Sequence, residues 1–141
     1  MKRILILFFI ISLSFLNPAF AKKKQKPILI LTSIKPELSK AVVDNIIPEQ
    51  YFKANSKIYF MIYVPDGFKS DYIKYQIVQQ NDNAHVGGFT RVRNVTCRIK
   101  EKNYFEDYFV LTGAGKYFIQ IFDIENLQHW LAISSFRVIN D

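Results

Sequence analysis

The chain has 141 residues and a formal net charge of +7, and half of its residues are hydrophobic. Six of its 19 basic residues fall within the first 26 positions; from Pro27 onward 13 basic residues stand against 12 carboxylates, a net of +1. A nucleic-acid-binding domain carries its excess charge on a folded face, so this distribution argues against nucleic acid, and the single cysteine, Cys97, excludes an internal disulfide.

The chain opens with Met1-Lys2-Arg3. An apolar run from Ile4 to Leu16 follows, then Asn17-Pro18 and Ala19-Phe20-Ala21. A positive head, a short apolar stretch and an Ala-x-Ala end form the pattern of a cleaved secretory signal. The run is shorter than the ~20 residues of a membrane-spanning helix. Residues 1–21 are therefore expected to be a signal peptide, 22–27 a basic flexible leader and 28–141 one domain. The expected location is the periplasm or outside the cell. Membrane contact is expected at most through Lys22 to Lys26, whose few lysines sit at the lower limit for a patch on anionic lipid.

Ile28 to Ile34 reads as a first strand. Leu38 to Ile47 fits a helix by spacing and a strand by its β-branched residues, with a lean to strand, and Pro48 ends it. Ser56 to Val64 alternates strictly, with Ile58, Phe60, Ile62 and Val64 on one face. Pro65-Asp66-Gly67 is a turn, proline presetting φ and glycine accepting a positive one. In Asp71 to Gln80, residues Ile73, Tyr75 and Ile77 point inward. Phe89 to Lys100 changes phase, and a bulge near Arg93-Asn94 would absorb the slip. Tyr104 to Leu111 and Gly113 to Phe122 follow. Asp123 to Gln128 is a hairpin loop. The last strand, Trp130 to Ile139, slips at Ser134-Ser135.

Seven or eight strands at this spacing predict an all-β, single antiparallel sandwich without a disulfide. The stretch Gly113-Ala114-Gly115-Lys116-Tyr117-Phe118-Ile119 resembles the penultimate strand of immunoglobulin-like sandwiches, and Phe136-Arg137-Val138 resembles their closing strand. More loosely, the whole mature chain looks like small exported bacterial domains of this layout. The resemblance implies that the Tyr117 hydroxyl bonds back across the corner before its strand. It departs from true immunoglobulin domains at Ile119, where they carry a cysteine, and at Tyr75, on the strand that carries their core tryptophan.

No Gly-x-Ser-x-Gly elbow, His-Glu-x-x-His or phosphate-binding glycine loop is present. Asn81-Asp82-Asn83 lacks the glycine and distal glutamate of a calcium loop. His85 and His129 sit in loops or strand edges, and Cys97, in phase with Val95 and Ile99, is expected to face the core. No catalysis, metal or cofactor is expected. Two surfaces remain. Arg91 and Arg93, which share a face unless the bulge separates them, form a basic stretch with Arg98, Lys100 and Lys102 nearby; its alternatives are an anionic or acidic-protein contact and solubilising pairs with Glu101, Glu106 and Asp107. Tyr59, Tyr63, Tyr72, Phe118 and Phe122 fall opposite the assigned core; in an immunoglobulin-like order their strands need not share one sheet, and Tyr72 with Phe118 and Phe122 are the expected neighbours. Outward aromatics anchor protein partners or stack on sugars; alternatively, the faces are reversed or Leu38 to Ile47 covers them. The functional expectation is a non-catalytic module of the cell envelope that engages a protein partner through a sheet face or edge strand. Carbohydrate binding through the aromatics is the alternative.

Overall fold

Alternating apolar residues bury one face of a strand and leave the other to water, and the strands Lys57–Tyr63, Tyr72–Gln80 and Gly115–Asp123 follow this rule most closely. The computed structural model describes residues 24–36, 48–81 and 88–140. Among them run eight strands and no helix: β1 (Ile28–Thr32), β2 (Tyr51–Lys53), β3 (Lys57–Tyr63), β4 (Tyr72–Gln80), β5 (Phe89–Arg98), β6 (Tyr104–Val110), β7 (Gly115–Asp123) and β8 (Asn126–Ile139). The expected signal peptide, the first two residues of the leader, the ambiguous segment 38–47 and His85 lie outside the described residues. No helix among the described residues is long and apolar enough to cross a membrane.

The strands form two sheets, ordered β1-β3-β6 and β2-β8-β7-β4-β5. They share one core. Leu31, Ile58, Phe60, Ile62 and Phe109 come from the three-stranded sheet; Ile73, Tyr75, Ile77, Tyr117, Ile119, Ile121 and Phe136 come from the five-stranded one. Phe60 meets Tyr75 edge to face across the gap, ring centroids 4.9 Å apart, a favoured aromatic geometry. The core thus joins both sheets, with no disulfide among the described residues.

Pairing is not purely antiparallel, as the sequence had suggested. β2 runs parallel to β8, with Tyr51 opposite Arg137 and Lys53 opposite Ile139. Only strands joined by a tight hairpin must be antiparallel. β2 follows β1, a strand of the other sheet, so nothing imposes that direction on it.

Both expected phase slips exist, at shifted positions. On β5, Ile77 faces Arg93 and Val78 faces Arg91, so Val92 is the extra residue. On β8 the pairing is regular through Ser134 and Ser135, opposite Ile119 and Phe118, and the register breaks nearer the hairpin, where Ile121 faces Ala132 and Phe122 faces Trp130. The hairpin itself is tighter than Asp123 to Gln128: Asp123 Oδ1 accepts the Glu125 N–H at 3.0 Å, and β8 has begun by Asn126. The Pro65-Asp66-Gly67 turn is as expected, with Gly67 at φ +80° and its N–H donating to the Val64 carbonyl at 2.9 Å.

Candidate functional site

β5 forms an edge of the five-stranded sheet and β6 an edge of the three-stranded one. β5 is the more exposed: of its ten residues only Val95 and Cys97 are half-buried and the rest are exposed. The chain is short between the two strands, so their free edges flank one open side of the molecule. A cleft of about 450 Å³ lies there, lined by Cys97, Arg98, Lys100, Glu101, Tyr104, Phe105, Glu106 and Asp107.

The floor of this side holds a polar chain that the sequence did not reveal. Arg93 Nε donates to the Tyr75 hydroxyl at 3.2 Å, and that hydroxyl donates to Asp107 Oδ2 at 3.2 Å. The chain thus crosses from β5 to β6 through a fully buried tyrosine of β4. Burial, reinforced by the Asp107 carboxylate and opposed by Arg93, pushes the Tyr75 phenol up to about 12. The same influences, burial first and then Asp107, push the Cys97 thiol up from its ordinary value. Cys97 faces inward opposite Ile73 and packs against the core, as expected, but it is half-buried and borders the cleft. A thiol held in its neutral form is a poor nucleophile. His129 is exposed on β8, three strand spacings from β5 in the sheet order, or about 14 Å at the usual interstrand distance.

The bulge at Val92 separates Arg91 from Arg93, which the sequence had allowed to share a face. Arg93 turns inward to Tyr75, whereas Arg91, opposite Val78, points outward.

The candidate aromatics do not form one row. Tyr59 and Tyr63 are half-buried on the outward side of β3, in the three-stranded sheet, and the Tyr59 ring lies 5.8 Å from that of Tyr108. Ile30 and Met61 on that same outward side are buried, at 3% and 1% exposure. Tyr72 and Phe118 do share a face of the five-stranded sheet, but Phe118 pairs with Val78, six residues along β4 from Tyr72. At ~3.3 Å per residue that is roughly 20 Å. Phe118 is half-buried, with Phe89 edge-on at 5.6 Å and Lys116 Nζ at 5.3 Å from its ring centre. Phe122 was expected outward and free, yet it is only 6% exposed. It sits between the two register breaks of β7 and β8, flanked by Trp130 on one side and Lys74 on the other, and these large side chains can shield it where the regular pleat ends.

The registers order the outward side of the five-stranded sheet into rows. Across one end run Tyr51, Arg137 and Lys116, with the pair Gln80 and Phe89 at the same end, one residue beyond the last β4–β7 pair, Gln79 with Tyr117. Next come Ser135, Phe118, Val78 and Arg91, then Ile133, Gln120, Gln76 and Asn94. Trp130, Phe122, Lys74 and Thr96 follow, and Tyr72 with Arg98 closes the other end. No outward position of these rows carries a carboxylate. The grouping was missed because it spans four strands far apart in sequence; alternate residues read across the paired strands would have found it. Among the described residues no cluster of three His, Cys, Asp or Glu side chains could hold a metal ion.

No family model matches the chain, and no curated protein matches it in sequence. Among solved structures it is similar to an uncharacterised protein from Bacillus anthracis str. Ames, at 19% identity over 65% of this chain and 77% of that one, with a TM-score of 0.46. It is also similar to the superoxide reductase neelaredoxin from Ignicoccus hospitalis, at 10% identity over 82% of this chain and 81% of that one, TM-score 0.44. A third likeness is to the alkylpurine DNA glycosylase AlkC from Pseudomonas fluorescens, at 9% identity over 80% of this chain and 30% of that one, TM-score 0.41. Likenesses this distant say nothing about what this chain binds.

Proposed function

We propose that the chain is an exported, non-catalytic binding module with an immunoglobulin-like sandwich, and that it engages a protein partner of the cell envelope by strand addition along β5. Export rests on the charged head, apolar run and Ala-x-Ala end of residues 1–21. The sandwich reading is supported by the two sheet orders, by the parallel pairing of β2 with β8, and by the Tyr117 hydroxyl donating to the Gly113 carbonyl at 2.7 Å.

The observation that carries the partner reading is β5 itself, a ten-residue edge strand paired, among the described residues, on one side only. Such an edge is a template for another strand. Arg91, Arg93 and Arg98 repel a second copy of the same edge, and the bulge at Val92 interrupts it. Copies of the chain are thereby kept apart while a partner with a complementary strand is not.

The backbone directions supply the test. Ile99 N–H donates to the Asp71 carbonyl at 2.8 Å. By the alternation of an antiparallel ladder, the N–H groups of Cys97 and Val95 then face β4, and those of Arg98, Thr96 and Asn94 face the free edge. Thr96→Pro removes an outward donor and leaves the β4 ladder intact. Envelope extract passed over immobilised protein is expected to yield a partner that Thr96→Pro no longer retains although it still folds. Equal retention by a folded Thr96→Pro protein would refute strand addition.

A further inference from the structure

The domain from Pro27 onward is nearly neutral, yet its basic residues are not spread evenly. Lys74, Arg91, Arg98, Lys116 and Arg137 all occupy outward positions of the five-stranded sheet, with no acidic residue at any outward position of its strands. Arg137 and Lys116 are direct cross-strand neighbours, about 5 Å apart at the backbone. Arg91 lies two strands further across the sheet from Lys116, and Lys74 and Arg98 continue the band toward the other end. Like charges side by side cost stability, so a soluble fold gains nothing from collecting them there.

The middle of the face narrows the ligand. Gln120, Gln76 and Asn94 are consecutive across β7, β4 and β5. Side-chain amides donate and accept at once, which suits a surface of hydroxyl groups. Protein interfaces instead place exposed apolar residues at the centre; here Phe118 and Val78 on one side of the amide row are half-buried, Phe122 on the other is buried, and the exposed Ile133 stands only at the row's β8 end. Here the exposed aromatics Tyr51, Phe89, Tyr72 and Trp130 stand at the margins of the face, not in succession along a track on which the bases of a single strand stack.

We infer that the outward face of the five-stranded sheet binds an acidic polysaccharide, with its carboxylate or phosphate groups against Arg91, Lys116 and Arg137 and its hydroxyls against Gln76 and Gln120. The site is separate from the hydrogen-bonding edge of β5, and its existence does not depend on strand addition there.

The test is a binding titration of the protein expressed from its full reading frame. The probes are polygalacturonate, poly(glycerol phosphate), neutral dextran, a single-stranded oligothymidylate and phosphatidylglycerol vesicles. One or both of the hydroxyl-bearing polyanions, the polysaccharide polygalacturonate and the polyol phosphate that mimics a phosphate-bearing glycan, are expected to bind and dextran is not; which of the two binds more tightly identifies carboxylate or phosphate as the recognised anion. Arg91→Gln with Lys116→Gln should weaken binding about tenfold or more. Arg137→Gln, at an exposed position, tests the same contact if that pair fails to fold. Gln76→Ala with Gln120→Ala, which changes no charge, should weaken binding about threefold or more and leave its salt dependence unaltered. Thr96 lies on this face, but Thr96→Pro changes no charge and none of the contacts named for Arg91, Lys116, Arg137, Gln76 and Gln120, so it should retain polymer binding, which separates this site from the edge. The inference is overturned by no binding to either acidic polymer, or by tighter binding to the oligonucleotide or the vesicles. Full affinity in the double glutamine variant, or loss of binding when only Lys22 to Lys26 are neutralised, would equally overturn it.

Discussion

Tyr75→Phe tests the polar chain across the open side of the molecule. The substitution keeps the ring against Phe60 and removes only the hydroxyl between Arg93 and Asp107. A hydrogen bond to a charged group contributes ~1.5–3 kcal/mol, but Arg93 is exposed and Asp107 half-buried, so water takes over part of what each loses. The expected cost at pH 7 is therefore about 1–2 kcal/mol. The pH dependence is more diagnostic. The phenol is held at about 12 in the folded protein, against 10.0 ordinarily. Folding thus favours its neutral form, and the associated stability is complete below pH 10 and is lost as the pH rises from 10 through 12. Two pKa units correspond to ~2–3 kcal/mol, of which roughly half is gone by pH 11. The phenylalanine variant has no such loss. Urea unfolding followed by circular dichroism should show the wild type more stable at pH 7, the difference shrinking above pH 10 and reversing near pH 12. A gap that stays constant from pH 7 to 12 would refute the assignment of the shifted phenol to Tyr75.

Tyr117→Phe removes the 2.7 Å bond to the Gly113 carbonyl. That carbonyl lies on an exposed residue, where water can replace the donor, so the loss is about 1 kcal/mol and the melting temperature should fall by roughly 4 °C. An unchanged melting temperature would remove the corner as a stabilising feature. Phe122→Ser should cost about 3 kcal/mol or more, as for a buried aromatic, and Phe118→Ser clearly less, since its ring is only half-buried. Equal costs in chemical denaturation would contradict the different burial of the two rings.

Much of the strand layout was legible in the sequence, because burial on one side of a strand writes itself as a period of two. Ile58, Phe60 and Ile62, then Ile73, Tyr75 and Ile77, then Tyr117, Ile119 and Ile121 all face the core as their spacing required. Phase slips were visible too, since a bulge must shift the alternation, but their positions were not. A slip shows in sequence only where an apolar residue changes sets, whereas the unpaired residue itself, Val92 on β5, is chosen by the partner strand.

The candidate site was less legible, for a related reason. Alternation states which residues share a side of one strand and nothing about which strands lie together. Tyr59 and Tyr63 were separated from Tyr72 and Phe118 by membership of different sheets, and Phe122 was buried by neighbours its own strand does not contain. Arg91 and Arg93, two residues apart, were sent to opposite sides by one inserted residue. The sequence by itself determined the glycine-led strand within Gly113 to Phe122, its inward tyrosine and the absence of any disulfide, because these follow from local pattern and composition. Only the tertiary structure decided the parallel β2, the exposed edge of β5 and the gathering of Lys74, Arg91, Lys116 and Arg137 on one face. Pairing between strands distant in sequence is set by how two sheets close over a common core, and no single strand encodes it.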